Sequence, residues 1–107
     1  MPVNIEGSNE ILIAYLVGEL DHHCAAAVRQ KIDSAVNEYQ PSLLVLDFSD
    51  VSFMDSSGIG LIMGRYKLIN SLGGTLHVVN VSAQAHKVMT LAGLEGLATI
   101  TETEAKG

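Results

Sequence analysis

In the stretch Phe53-Met54-Asp55-Ser56-Ser57-Gly58-Ile59-Gly60, a carboxylate leads into two hydroxyls and then into glycine. A hydroxyl at such a loop-to-helix junction can cap the helix, act as a nucleophile or carry a phosphate. Capping by Asp55, Ser56 or Ser57 is worth ~1 kcal/mol and accounts for one small polar residue. It leaves unexplained two glycines in the first turn, each costing up to ~1 kcal/mol relative to Ala. Glycine removes bulk there and lets another backbone or a ligand come close to the hydroxyls. A helix start also offers free N–H groups and the positive end of the dipole, so it tolerates an anion. A phosphate on Ser56 or Ser57 adds roughly -1.5 to -2 charges and three acceptor oxygens. The fold can accept that group projecting outward, whereas a partner docked on the same surface meets bulk and like charge. These are the properties of a binding switch.

The catalytic alternatives fit less well. A hydrolase elbow reads G-x-S-x-G, but Asp55 stands two residues before Ser57 and Met54 two before Ser56. His22, His23, His77 and His86 are candidate bases, and nothing in the sequence sets one beside Ser57. A phosphate-binding loop lacks its GK[ST] ending after Gly60, and Gly58, Gly60 and Gly64 miss dinucleotide spacing by one residue. His22-His23-Cys24 is too tightly spaced to converge on one ion, and no distant Cys pair or HExxH completes a metal site. A solvated first helical turn is the simpler reading of that triplet, opened by Asp21 as cap. No cofactor is implied, and the chain is read as a non-enzyme.

The elements that position these residues follow from periodicity. Val3-Asn4-Ile5 alternates, Gly7-Ser8-Asn9 is a hairpin turn, and Ile11 to Val17 is a second strand. Ala25, Val28, Ile32, Ala35, Val36 and Tyr39 form one face of a helix that Pro41 closes. Leu43 to Leu46 is a continuous apolar run, as in a strand covered on both faces. A loop from Asp47 to Asp55 then leads to a helix from Ser56 to about Ser71, ended by Gly73-Gly74. Leu76 to Val79 is a strand, Ser82 caps a third helix that Gly93 stops, and a short strand surrounds Ala98-Thr99-Ile100. Met54, Met63 and Met89 are core filler. Gly64 permits close helix packing, while Lys31, Arg65, Lys67 and Lys87 solvate exposed faces. The order describes a single α/β domain over residues 1–107, with a mixed sheet and helices on one or both faces. In such domains neighbouring helix starts share one side, so the Asp21 turn is expected beside the Ser57 turn.

Composition sets the outer limits. The chain has 107 residues, 48% hydrophobic and 17% charged, enough apolar material for a core. Its 12 acidic and 6 basic side chains give a net charge of -6. Without a cluster of Lys and Arg it lacks the footprint for direct nucleic-acid binding. The lone Cys24 excludes an internal disulfide. No apolar run approaches the ~20 residues of a membrane span, and the first residues lack a signal peptide's basic and apolar regions. A cytoplasmic setting is expected.

Gly18-Glu19-Leu20-Asp21-His22-His23, with Phe53 through Lys67 and Gly73-Gly74, resembles the anti-sigma factor antagonists of the STAS domain family. The likeness covers almost the whole chain in order and spacing. Gly64-Arg65-Tyr66-Lys67 and the Asp21 motif are most similar to the sporulation branch. The resemblance implies a STAS fold, a small mixed sheet of four or five strands with helices packed mainly on one side. It implies that the unphosphorylated form binds an anti-sigma factor that is also a serine kinase, and so frees a sigma factor. The acceptor of the phosphate maps onto Ser57, and a phosphoserine phosphatase restores the active form. Asp21 carries over as a residue docking on the kinase, and Ser56, Gly58, Ile59 and Gly60 as further interface positions. The general stress-response branch, which often has Thr at the acceptor, is an alternative. So is a STAS-like module that holds a nucleotide or other anion at the same helix start.

Overall fold

Every second residue of the strands is sealed from solvent: Leu12, Ala14 and Leu16, then Leu44, Leu46 and Phe48, then Leu76 and Val78. A period of two puts these side chains on one face of a sheet. The alternating residues Ile13, Tyr15, Val45 and His77 are only half-buried. The sheet therefore has one face against the core and one face toward water.

The computed structural model describes residues 3–103, in the order β1 (Val3–Gly7), β2 (Ile11–Leu20), α1 (Ala25–Tyr39), β3 (Leu43–Met54), α2 (Ser56–Ser71), β4 (Thr75–Val81), α3 (Ala83–Leu91), a 3-10 turn (Leu94–Gly96) and β5 (Thr99–Glu102). The five strands are ordered β1-β2-β3-β4-β5, with β1 antiparallel to β2 and every other pair parallel. Leu12, Leu44 and Leu76 align across three strands, as do Ala14, Leu46 and Val78. Helix α1 closes over them with Val28, Ile32 and Val36, and α2 with Leu61, Ile62 and Ile69. Each such apolar side chain contributes on the order of 1.5–3 kcal/mol by leaving water. This is the small mixed α/β sheet expected, with helices mainly on one side. Leu43–Leu46 differs in detail, since Leu43 and Val45 remain half-open rather than covered.

The turn residues act as their chemistry dictates. A side chain on Gly7, which has φ of 149°, would lie 2.2 Å from the Ile11 carbonyl oxygen, so the β1–β2 hairpin admits only glycine. Gln40 adopts a left-handed conformation and donates its N–H to the Val36 carbonyl, ending α1 just before Pro41. Ser82 caps α3 by accepting from the Ala85 N–H at 3.1 Å.

Two expectations are corrected. The segment after Asp47 is strand, not loop: β3 continues to Met54 by pairing with an equally extended β2, Val17 opposite Asp50 and Leu20 opposite Met54. Pairing of β3 with β4 stops at Asp47 and Val79, so this extension is a two-stranded arm beyond the main sheet. Register shifts along it, with Gly18 at φ of 85°, bend the arm and blur the alternation a single sequence displays. Helix α1 begins at Ala25 rather than at the residue after Asp21, because residues 21–24 form a separate turn.

Candidate functional site

The two-stranded arm delivers two turns side by side. Its strands end at Leu20 and Met54, paired in register, and the Asp55 N–H donates to the Leu20 carbonyl at 3.3 Å. The Asp21 turn and the Ser57 turn thus leave the sheet at the same end of its strands, as expected from the parallel connections.

At the second turn Asp55 is the cap: its side chain accepts from the Ser57 N–H at 2.8 Å. The serines are relieved of that duty. Ser56 is exposed and Ser57 half-exposed on the first turn of α2. The two glycines behind them differ. Gly58 is buried, and a Cβ there would lie 2.1 Å from Met54 Cγ, so an internal contact demands it. Gly60 is exposed, and a Cβ there would meet nothing within 4 Å. Ile59 is half-buried against the core. Gly64 likewise has open space around it, so it does not mediate the close helix packing expected of it.

At the first turn the Asp21 carboxylate accepts from the backbone N–H groups of His23 at 3.0 Å and Cys24 at 3.1 Å. Partial desolvation pushes this carboxyl up, but the two N–H donors and the nearby His23 outweigh it, leaving its pKa below the ordinary aspartate value. His22 and His23 belong to this turn and not to α1, with ring centroids 4.0 Å apart. Among the described residues, no group of three His, Cys, Asp or Glu is placed to hold a metal ion.

Between the turns, and between the facing sides of α1 and α2, lies a concavity of about 290 Å³ lined by His22, Ala25, Ala26, Arg29, Ser57, Gly60, Leu61 and Arg65. It joins Ser57 to residues that the sequence pattern assigns elsewhere. Arg65 does not solvate an exposed face: it is 6% exposed and pairs with Asp33 of α1, Nε lying 2.9 Å from Oδ1. The N–H direction misses that oxygen, so this is an ion pair without a hydrogen bond, and Nη1 also lacks an acceptor among the described residues. Burial pushes the guanidinium below its ordinary value, the Asp33 carboxylate opposes this, and the like charge of Arg29 adds to the depression. A signal for this burial was present. Leu61, Arg65 and Ile69 recur at steps of four along the core stripe of α2. His22 shares the concavity with Ser57, but among the described residues no hydrogen bond joins them into a nucleophile and base. Lys31, also read as solvating, reaches across to the Val3 carbonyl at 3.2 Å. No described helix is long and apolar enough to cross a membrane.

Known proteins share this fold. The STAS domain family matches residues 2–107. An anti-sigma F factor antagonist of Paenibacillus polymyxa is 39% identical over 104 residues, which span 97% of this chain and 89% of that protein. The unphosphorylated form of the anti-sigma factor antagonist SpoIIAA superposes with a TM-score of 0.80 at 32% identity, covering 92% of this chain and 86% of that one. The phosphorylated form of the Bacillus cell fate determinant SpoIIAA gives 0.73 at the same 32% identity, with 92% and 89% covered. With its mixed five-stranded sheet, its Asp-Ser-Ser-Gly helix start and a match that runs from residue 2 to residue 107, the chain belongs to the STAS domain family.

Proposed function

We propose that this chain is an anti-sigma factor antagonist that works by exchanging partners. Unphosphorylated, it binds an anti-sigma factor that is also a serine kinase, and the sigma factor held by that kinase is released. The name of the Paenibacillus relative supports sigma factor F as the one set free. The kinase transfers the γ-phosphoryl group of ATP to Ser57 Oγ, forming a phosphate ester and releasing ADP and the hydroxyl proton. A phosphoserine phosphatase returns the hydroxyl by hydrolysis. The chain performs no catalysis of its own and meets both partners in the cytoplasm.

The observation that carries this reading is the division of labour at the start of α2. Asp55 supplies the cap, which leaves the half-exposed Ser57 hydroxyl available for modification on a turn adjacent to the Asp21 turn. Asp21, Ser56, Gly58, Ile59 and Gly60 then make the docking surface, Gly58 and Ile59 through the backbone position that their burial fixes. A phosphate beside Asp55 puts roughly two more negative charges in the centre of that surface. Like charges brought together at an interface cost several kcal/mol.

Mass spectrometry after incubation with the anti-sigma factor kinase and ATP tests the assignment, with one phosphate expected on Ser57. Ser57→Ala is expected to bind the kinase as the native chain does without being modified. Ser57→Asp is expected to bind at least ~10-fold more weakly, a loss of about 1.4 kcal/mol or more. Modification at another residue, or full affinity in Ser57→Asp, would overturn the reading.

A further inference from the structure

The chain contains two arginines, Arg29 and Arg65, and both line the concavity that Ser57 lines. Among the described residues no carboxylate lines it, in a molecule with twice as many acidic as basic side chains. Arg65 is enclosed with Nη1 lacking any acceptor among the described residues, and its Nε faces Asp33 without a hydrogen bond. Buried polar groups are nearly always satisfied, so an enclosed guanidinium with idle donors is an arrangement short of a ligand. The two guanidinium groups also repel one another, and an anion between them relieves that repulsion. Arginine presents a planar fork of donors suited to phosphate oxygens.

We propose that the concavity between α1 and α2 is a phosphate-monoester site, and that the phosphate carried by Ser57 occupies it, held by Arg29 and Arg65. This rests on the reading of Ser57 as the acceptor. Ser57 and Arg65 are eight residues apart on α2, about 12 Å along its axis, and line the same hollow, which Arg29 lines from α1. The consequence for regulation is that the phosphorylated state is more than a charged obstacle. The modified serine becomes a strut between the first turn of α2 and α1, which slows its hydrolysis by the phosphatase without preventing it.

The test uses the full chain with phosphoserine installed at position 57 during translation, so no kinase is needed. Failure of the kinase to modify Ser57 and failure of this site are then separate results. The second ionisation of the phosphoserine, followed by phosphorus NMR, is expected at a midpoint ~1 pH unit or more below that of the same phosphoserine in an unfolded peptide, the usual effect of an adjacent opposite charge. Arg29 is exposed, so Arg29→Gln leaves the core untouched. It is expected to return most of that shift and to speed phosphatase release of the phosphate. The helix start alone lowers the midpoint equally in both proteins, so an identical midpoint with and without Arg29 would overturn the proposal. The unphosphorylated chain, titrated with inorganic phosphate, distinguishes the source. Shifts of the Arg29 and Arg65 Nε resonances only at tens of millimolar phosphate fit a site built for a tethered group. Saturation at micromolar phosphate, with no response to phosphoserine 57, would reassign the hollow to a free anion and overturn the tethered form.

Discussion

Gly58 and Gly60 look equivalent in the sequence and have opposite surroundings in the fold. A methyl group at Gly58 must displace Met54 from 2.1 Å, and overpacking of this kind typically costs about 1–3 kcal/mol. Gly58→Ala should therefore lower stability by that order in a urea titration, and a smaller residue at position 54 should recover part of the loss. Gly60→Ala meets nothing within 4 Å and removes a flexible residue from a helix, so stability should rise by up to ~1 kcal/mol. If Gly60 belongs to the docking surface, that more stable variant should bind the kinase less tightly. Greater stability with unchanged affinity would place the interface elsewhere. Asp21→Ala separates the same two quantities by another route. Its carboxylate holds two N–H groups of a turn outside the core, so its loss should weaken docking while costing stability only about 1 kcal/mol.

Elements rather than single residues decide where Arg65 points. Helices α1 and α2 cover the same sheet face, and the line where they meet takes the guanidinium out of water beside Asp33. Asp33→Ala should then leave an enclosed charge without its partner. We expect a loss of about 1–3 kcal/mol in chemical denaturation, below the 3–5 kcal/mol typical of a fully buried pair because the Asp33 side chain is 31% exposed. A change under a few tenths of a kcal/mol would show that solvent already satisfies Arg65. This packing also marks how far the sequence could be read. The hairpin glycine, the Pro41 stop, the Ser82 cap and the apolar stripe of α1 are local signals, and each appears where periodicity or turn chemistry put it. The extension of β3 through Asp47, Ser49 and Asp50 is not local. Those polar residues have no strand preference, and they are extended because β2 lies alongside them. The grouping of Ser57 with Arg29 and Arg65 depends likewise on the approach of α1 to α2. The motif pointed to Ser57 itself, while the cationic wall facing it became visible only in three dimensions.

Across the whole molecule the short edge strand β5 is the weakest-held part of the sheet, and a charge cluster fastens it. His86 of α3 meets Glu102 of β5, with Nδ1 2.6 Å from Oε2, and meets Glu95 of the 3-10 turn through Nε2. Both ring nitrogens face carboxylates, an arrangement suited to the imidazolium, in which both are donors. Hydrogen bonding to Glu102 and then to Glu95 raises the His86 pKa above 6.5, against a smaller opposing effect of desolvation. Hydrogen bonding to His86 in turn lowers that of Glu95. A histidine whose folded pKa is raised contributes its full stabilisation below the unfolded value, and that contribution disappears as pH rises through the folded one. A glutamate with a lowered folded pKa contributes above its unfolded value and loses the contribution as pH falls through the folded one. The cluster should therefore hold β5 most firmly between the ordinary carboxylate and imidazole ranges, with the loss on the alkaline side beginning near pH 6.5. Thermal midpoints measured as pH rises above about 6.5 should fall more steeply for the native chain than for His86→Gln, and amide exchange in β5 should quicken with the same pH dependence beyond its intrinsic base catalysis. Parallel pH profiles in the two proteins would show that the sheet edge is held by β4 pairing and the packing of α3 alone.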